Sequence, residues 1–235
     1  AMIAIKKTRK KLVAQLQAAV VDHPELEVTL VPDVYPMGWE RTLVYQIFKK
    51  RYDNLPSELG VIVNNSTTAI AFGQALLKGE PAIHKMVTVS GDGIKNPANV
   101  LVPLGTQTSE IVKALGGYTA ETMRVIAGGP MMGQTIVNDQ FVITNCLNAI
   151  TILKPQPFNE IACLRCGACN DHCPAGLLPV RIKDAEQAKN VDAMVQLRAD
   201  LCIECGLCSY VCPSRIEVTE SVRRAKRALA LRKEA

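Results

Sequence analysis

Apolar residues at Leu12, Ala14, Leu16, Ala19 and Val20 recur at helical spacing after a basic start, and they predict a helix within residues 3–22. The stretch "EVTLVPDVYP" then reads as a strand running into a turn. After it come a helix over "ERTLVYQIFKKRY", a short apolar segment "LGVIVNN", and a helix over "TTAIAFGQALLKGEP" that Gly79 and Pro81 end. This alternation fits a parallel or mixed sheet flanked by helices. From residue 84 the pattern changes. "MVTVSG" and "NVLVPLG" are short strands separated by a Gly, Asn and Pro turn, and "EIVKALGG" is a short helix that Thr108 or Ser109 can cap and Gly116 and Gly117 stop. "MRVIAGGP" and "NDQFVITNCLNAITIL" add strands to the same small sheet, which gives the strand, turn, strand, helix opening of a β-grasp unit. "KPQPFNE" reads as a linker, beyond which "LLPVRIKDAEQAKNVDAMVQLRA" and "VTESVRRAKRALALRK" are helical by composition.

Composition narrows the class. With 48% hydrophobic and 21% charged residues, the 235-residue chain reads as globular and has room for two or three small domains. No apolar run approaches the ~20 residues that cross a bilayer, and the opening "AMIAIKKTRKK" lacks the apolar stretch of an export signal. The net charge of +5 suggests an acidic partner only until the cysteines are counted. Two four-thiolate clusters of about −2 each would bring it to roughly +1, which removes most of the case for nucleic acid. The basic tail "RRAKRALALRKEA" is either a solvated helix face or a docking patch for an acidic partner or lipid surface.

Eight of the nine cysteines fall in two copies of one pattern, "CLRCGACNDHCP" at 163–174 and "CIECGLCSYVCP" at 202–213. The spacing C-x2-C-x2-C-x3-C-P is that of a two-cluster ferredoxin, in which three close thiolates wrap one cubane and the fourth reaches the other. It predicts crossed ligation of two [4Fe-4S] clusters. One takes Cys163, Cys166, Cys169 and Cys212, and the other takes Cys202, Cys205, Cys208 and Cys173. Gly167 and Gly206 suit the tight loop close to the inorganic core, and Pro174 and Pro213 turn the chain away after the fourth ligand. Structural zinc would need only C-x2-C knuckles, leaving the third cysteine and the proline unexplained, and disulfides would need an oxidising compartment that no export signal supports. Cys146 is expected to be a small buried hydrophobe in a strand. His172, inside the first loop, is either an exposed loop histidine or a group that tunes a cluster.

Five segments carry a family likeness: "YPMGWERTLVY", "GVIVNNSTTAIAFGQALLKGEP", "VTVSGDGIKNPANVLVPLGT", "AGGPMMG" and "TNCLNAI", in this order and ahead of the double cysteine motif. Together they resemble the C subunit of the membrane-bound Rnf complex, a ferredoxin:NAD+ oxidoreductase coupled to Na+ or H+ translocation. That family is similar in turn to the flavin-carrying subunit of respiratory complex I. The resemblance implies an α/β plus α fold of three parts. These are the C-terminal part of a Rossmann-like FMN/NADH-type domain over 1–83, a β-grasp domain of SLBB type over 84–154, and a helical two-cluster ferredoxin domain over 155–235. It also implies that Tyr35, Gly38 and Glu40 match the "Y-x-x-G-x-E" turn near flavin and nicotinamide, and that Asn64 and Asn65 match a segment near the flavin phosphate. Read as residues alone, these are a Pro and Gly turn and a helix N-cap at Asn65 or Ser66. Trp39 stands where the family usually has a small residue.

The family's glycine-rich cradle for FMN and NADH has no counterpart in these residues. "AGGPMMG" lacks the Lys and the following Ser or Thr of a P-loop and reads as a tight turn. The chain is therefore expected to be a piece of a longer subunit that relays electrons but does not oxidise NADH by itself. Implied partners are the other Rnf subunits, both membrane-embedded and peripheral, with NAD(H) and ferredoxin reached through the complex. The implied place is peripheral, on the cytoplasmic side of the bacterial inner membrane. A related cobalamin reductase of propanediol microcompartments shares the order of flavin, β-grasp and double-cluster parts, and is the alternative. A non-redox module with structural zinc is a third.

Overall fold

The computed structural model describes residues 1–157 and 159–234; Phe158, in the expected linker, and Ala235 lie outside the described residues. Packing divides the chain into two compact units, Ala1–Ile70 and Ala71–Ala235.

The first unit opens with strand β1 (Met2–Lys6), helix α1 (Lys10–Ala19) and strand β2 (Glu27–Val31). β1 and β2 pair in parallel, Met2 opposite Glu27 and Lys6 opposite Val31, with α1 as the crossover that a parallel pair requires. Helical spacing alone predicts a helix within 3–22. That helix forms as α1, but the stretch before it, "MIAIK", is a strand, because its pairing partner lies 25 residues ahead and no local periodicity reports it. Helix α2 (Glu40–Phe48) buries Val44, and Lys49 ends it in the left-handed conformation at φ 55°. The following loop is clamped from both sides. Arg41 donates to the carbonyls of Tyr52 and Asp53 at 2.8 and 2.7 Å, while Glu58 accepts from the backbone N–H groups of Asp53, Asn54 and Leu55. Those donors hold the Glu58 carboxyl below its ordinary pKa. The apolar "LGVIVNN" segment forms no strand, and Ile62 in it is 82% exposed. Helix α3 (Ser66–Lys78) follows, and Gly79 stops it at φ 69°.

In the second unit, β3 (His84–Ser90), β4 (Ala98–Pro103), β5 (Arg124–Ala127), β6 (Gln134–Ile136) and β7 (Ala149–Leu153) form one mixed sheet in the order β4-β3-β7-β5-β6. β3 runs parallel to the central β7 and every other pairing is antiparallel. Ile150, Thr151 and Ile152 of β7 are buried accordingly. Helix α4 (Thr108–Ala114) presents Ile111 and Val112 to a core made with Val87, Val89, Ile150 and Ile152. Gly91 sits at φ 114°, where a Cβ would stand 1.9 Å from the Ile152 carbonyl oxygen, so this crossing admits glycine alone.

Two expectations are corrected here. Thr108 does not cap α4; it begins the helix after Gln107, fully buried, and its hydroxyl has no hydrogen-bond partner among the described residues. Cys146 is an exposed residue of a turn and not a buried strand residue, since the chain reverses at 145–146 before β7.

The cysteine-rich part is helical: α5 (Ala168–Asp171), α6 (Pro179–Gln187), α7 (Val191–Gln196), α8 (Leu207–Tyr210) and α9 (Val218–Glu234). Val218, Val222, Ala225 and Leu229 mark one face of α9, and with Ile182, Ala185 and Met194 they form a second core. The cations of the basic tail are largely paired: Arg224 with Glu186 at 2.8 Å, Arg232 with Asp192 at 2.9 Å and Lys226 with Glu204 at 2.9 Å. No helix among the described residues is long and apolar enough to cross a membrane.

Candidate metal centres

Each cysteine motif is built on the same backbone. Two residues after the first cysteine, Arg165 and Glu204 both take φ 56°, and their N–H groups donate to Cys163 Sγ at 3.4 Å and Cys202 Sγ at 3.3 Å. Gly167 at φ 82° and Gly206 at φ 81° then start the short helices α5 and α8, which carry the third cysteine of each motif. The fourth cysteine follows the short helix, and in the first copy Leu177 N–H donates to Cys173 Sγ at 3.4 Å.

The eight thiols gather across the copies. Cys163, Cys166, Cys169 and Cys212 line one cavity, with Leu164, Val180 and Ile216 among its walls. Cys173, Cys202, Cys205 and Cys208 line the other, closed by Leu177, Ile182 and Val222. Empty space around the first group, counting that open to solvent, is about 910 Å³, against about 390 Å³ around the second. Cys166 is exposed and Cys205 buried. Burial pushes the thiol pKa up at Cys169, Cys202 and Cys205, and at Cys208 to about 11. Among the described residues no three His, Cys, Asp or Glu side chains stand close enough to share a single ion. The donor set fits a polynuclear core: four thiols to a group, spread around a cavity, with backbone N–H groups donating to sulfurs that include those of Cys163, Cys173 and Cys202.

The second site has polar support that the cysteine spacing does not reveal. The Thr219 N–H donates to Ser209 Oγ at 2.9 Å and the Ser209 hydroxyl donates to Thr219 Oγ1 at 2.9 Å. That leaves the Thr219 proton for Cys208 Sγ, 3.2 Å away. Lys226 Nζ donates to the Cys202 carbonyl at 2.8 Å and to Glu204 at 2.9 Å. The turn of "AGGPMMG" also comes here. The Met131 carbonyl lies against Gly206, and Arg223 donates to the Met132 carbonyl at 3.4 Å. Crowding of this kind leaves no trace in the sequence beyond the glycine itself. His172 is exposed and donates from Nδ1 to the Ala168 carbonyl at 2.9 Å, an ordinary closure of α5.

The residues expected near a flavin lie in the first unit. Tyr35, Gly38 and Glu40 occupy the turn into α2, with the Glu40 carboxylate accepting from Tyr52 OH at 2.7 Å. Burial and that carboxylate push the Tyr52 pKa up to about 12. Asn64 and Asn65 precede α3, and Asn65 Oδ1 accepts from the Thr67 N–H at 2.9 Å and its hydroxyl at 2.8 Å, as an N-cap does. Trp39 stands at the start of α2, 36% exposed.

Comparison with known proteins covers the same three regions. Residues 1–73 match the Nuo51 FMN-binding domain, 86–135 the SLBB domain and 162–216 the 4Fe-4S dicluster domain. The C subunit of the ion-translocating oxidoreductase complex of Rhodobacter capsulatus is 39% identical over 176 residues, covering 73% of this chain and 34% of that protein. The protein of the same description from Vibrio cholerae is 35% identical over 204 residues, covering 83% of this chain and 26% of its own length. The chain thus spans about a third or less of these curated relatives.

Proposed function

The chain belongs, over the stretch it shares with them, to the family of C subunits of ion-translocating oxidoreductase complexes, and from that premise we propose that it relays single electrons through two [4Fe-4S] clusters within such a complex. The observation that carries this reading is the gathering of eight thiols into two groups of four, each completed by the last cysteine of the other motif. Cys163, Cys166, Cys169 and Cys212 would hold one cluster, and Cys202, Cys205, Cys208 and Cys173 the other.

When bound, such a centre takes up or gives up one electron with no need of a proton. The chain's own residues do the rest. The N–H groups of Arg165, Glu204 and Leu177 and the hydroxyl of Thr219 aim at ligand sulfurs, where they favour added negative charge. Leu177, Ile182 and Val222 keep water from the second group, while the first, with the exposed Cys166, stays open for exchange with a partner.

At the other end, the match of 1–73 to an FMN-binding domain supports a flavin site in the parent subunit. A nicotinamide delivers a hydride and a cubane accepts one electron at a time, so a flavin is the converter between them. Tyr35, Gly38, Glu40, Asn64 and Asn65 would line its nicotinamide and phosphate sides, on a Rossmann-like part over 1–83. The mixed sheet with α4 would be the β-grasp part within 84–154, and 155–235 the ferredoxin part. The partners in this reading are the membrane-embedded and peripheral subunits of the complex, with ferredoxin and NAD(H) served through it at the cytoplasmic face of the membrane.

The test is an anaerobic iron and sulfide count on the purified chain, with EPR before and after reduction by dithionite. About eight irons per chain and spin-coupled signals of two reduced cubanes are expected. Stoichiometric zinc without iron, in protein never exposed to oxygen, would overturn the reading.

A further inference from the structure

The two cysteine loops share a backbone and carry opposite charges at one matched position, Arg165 in the first and Glu204 in the second. Arg165 and Glu204 each follow the first cysteine of their motif by two residues, at the same φ of 56°, with the same N–H to sulfur bond. Their side chains then part. Arg165 turns outward to Asp184 at 2.7 Å, whereas Glu204 receives Lys226 at 2.9 Å and Arg223 at 3.3 Å. Lys226 does more than neutralise Glu204, because its ammonium also donates to the carbonyl of Cys202 at 2.8 Å. It comes from α9, whose apolar face packs into the core against which Cys202 and Cys208 lie, so its stem is anchored and its charge is held at the loop.

We propose that Lys226 and Glu204 are a matched pair of positioning residues that set the reduction potential of the centre held by Cys173, Cys202, Cys205 and Cys208, apart from that of the other. The inference rests on the electron-relay reading above. Reduction adds one negative charge to a centre and takes no other reactant. A fixed ammonium beside a ligand cysteine favours that added charge, and a fixed carboxylate opposes it. The centre with the smaller and less open surroundings is also the one where such charges are least screened.

The decisive feature of the test is that Lys226→Met and Glu204→Gln break the same ion pair. A purely structural clamp would give both variants the same effect. An electrostatic role gives opposite ones. In an EPR-monitored anaerobic redox titration of the whole chain, Lys226→Met is expected to make one of the two centres about tenfold harder to reduce at a fixed potential, about 59 mV for a one-electron couple. Glu204→Gln, which takes this carboxylate away from Lys226 and Arg223, shifts the same centre the other way. Lys226→Arg keeps the charge and stays near the parent value. Shifts of the same sign in Lys226→Met and Glu204→Gln, equal shifts at both centres, or none would overturn the inference while two cubanes in the parent protein left the relay reading standing. A parent protein without iron would overturn both.

Discussion

Placing a methyl group at either of two equivalent glycines separates local backbone strain from packing between the mixed sheet and the cysteine loops. Gly167 and Gly206 have the same role, nearly equal φ values of 82° and 81°, and the same place in their motifs. A Cβ at Gly167 would meet nothing within 4 Å, whereas one at Gly206 would stand 2.5 Å from the Met131 carbonyl oxygen and 3.3 Å from its carbon. Both alanine variants incur the left-handed conformation, about 1–2 kcal/mol. Only Gly206→Ala adds overpacking, about 1–3 kcal/mol, because the obstructing atoms are backbone and cannot rotate aside. For a chain of this size each kcal/mol shifts Tm by about 2–4 °C, so Gly206→Ala should melt at least about 2 °C below Gly167→Ala. The assay is an anaerobic melt followed by cluster absorbance, paired with limited proteolysis at the turn of residues 128–133. Gly206→Ala should speed cleavage there and Gly167→Ala should not. Equal melts with equal cleavage would refute the view that this turn is seated on the second cysteine loop.

Crossed ligation predicts that Cys212→Ala, although in the second motif, reduces the iron count from about eight to about four and removes the centre of the first motif, while Cys173→Ala removes the other; the reverse pairing would refute it. The Glu186 carboxyl is held below its ordinary pKa first by its hydrogen bonds to Arg224. Its contribution is therefore present above the ordinary carboxylate range and is lost as pH falls through the lowered value, so Arg224→Met should flatten the acid limb of a stability–pH profile, by no more than about 1 kcal/mol given the exposure of the arginine. Tyr52, raised to about 12, favours the protonated form of the folded chain. Stability from its bond to Glu40 is complete below about pH 10 and declines as pH rises toward 12, and in a near-ultraviolet alkaline titration Tyr52→Phe should remove a phenol that ionises at about 12.

The cysteine spacing, the glycines at 167 and 206, the helices α4, α6, α7 and α9 and the turn after β2 are all legible along the chain. Each depends on residues close together in the chain: a thiolate loop, a left-handed turn, or a run of helix-forming residues such as that of α9. What the sequence does not reveal depends on remote partners. "MIAIK" reads as the start of a helix until β2 pairs with it, and "LGVIVNN" has the apolar content of a strand but no ladder. Cys146 is expected inside because a free cysteine usually packs as a small hydrophobe, yet the chain turns there before β7. The same holds at the candidate centres. Spacing names eight ligands, but only the packing of α9 and the 128–133 turn brings Lys226, Thr219 and the Met131 carbonyl to one of the two loops. Two motifs that are nearly equal as sequence thus become unequal as sites, because electrostatics and crowding act across space between residues far apart along the chain.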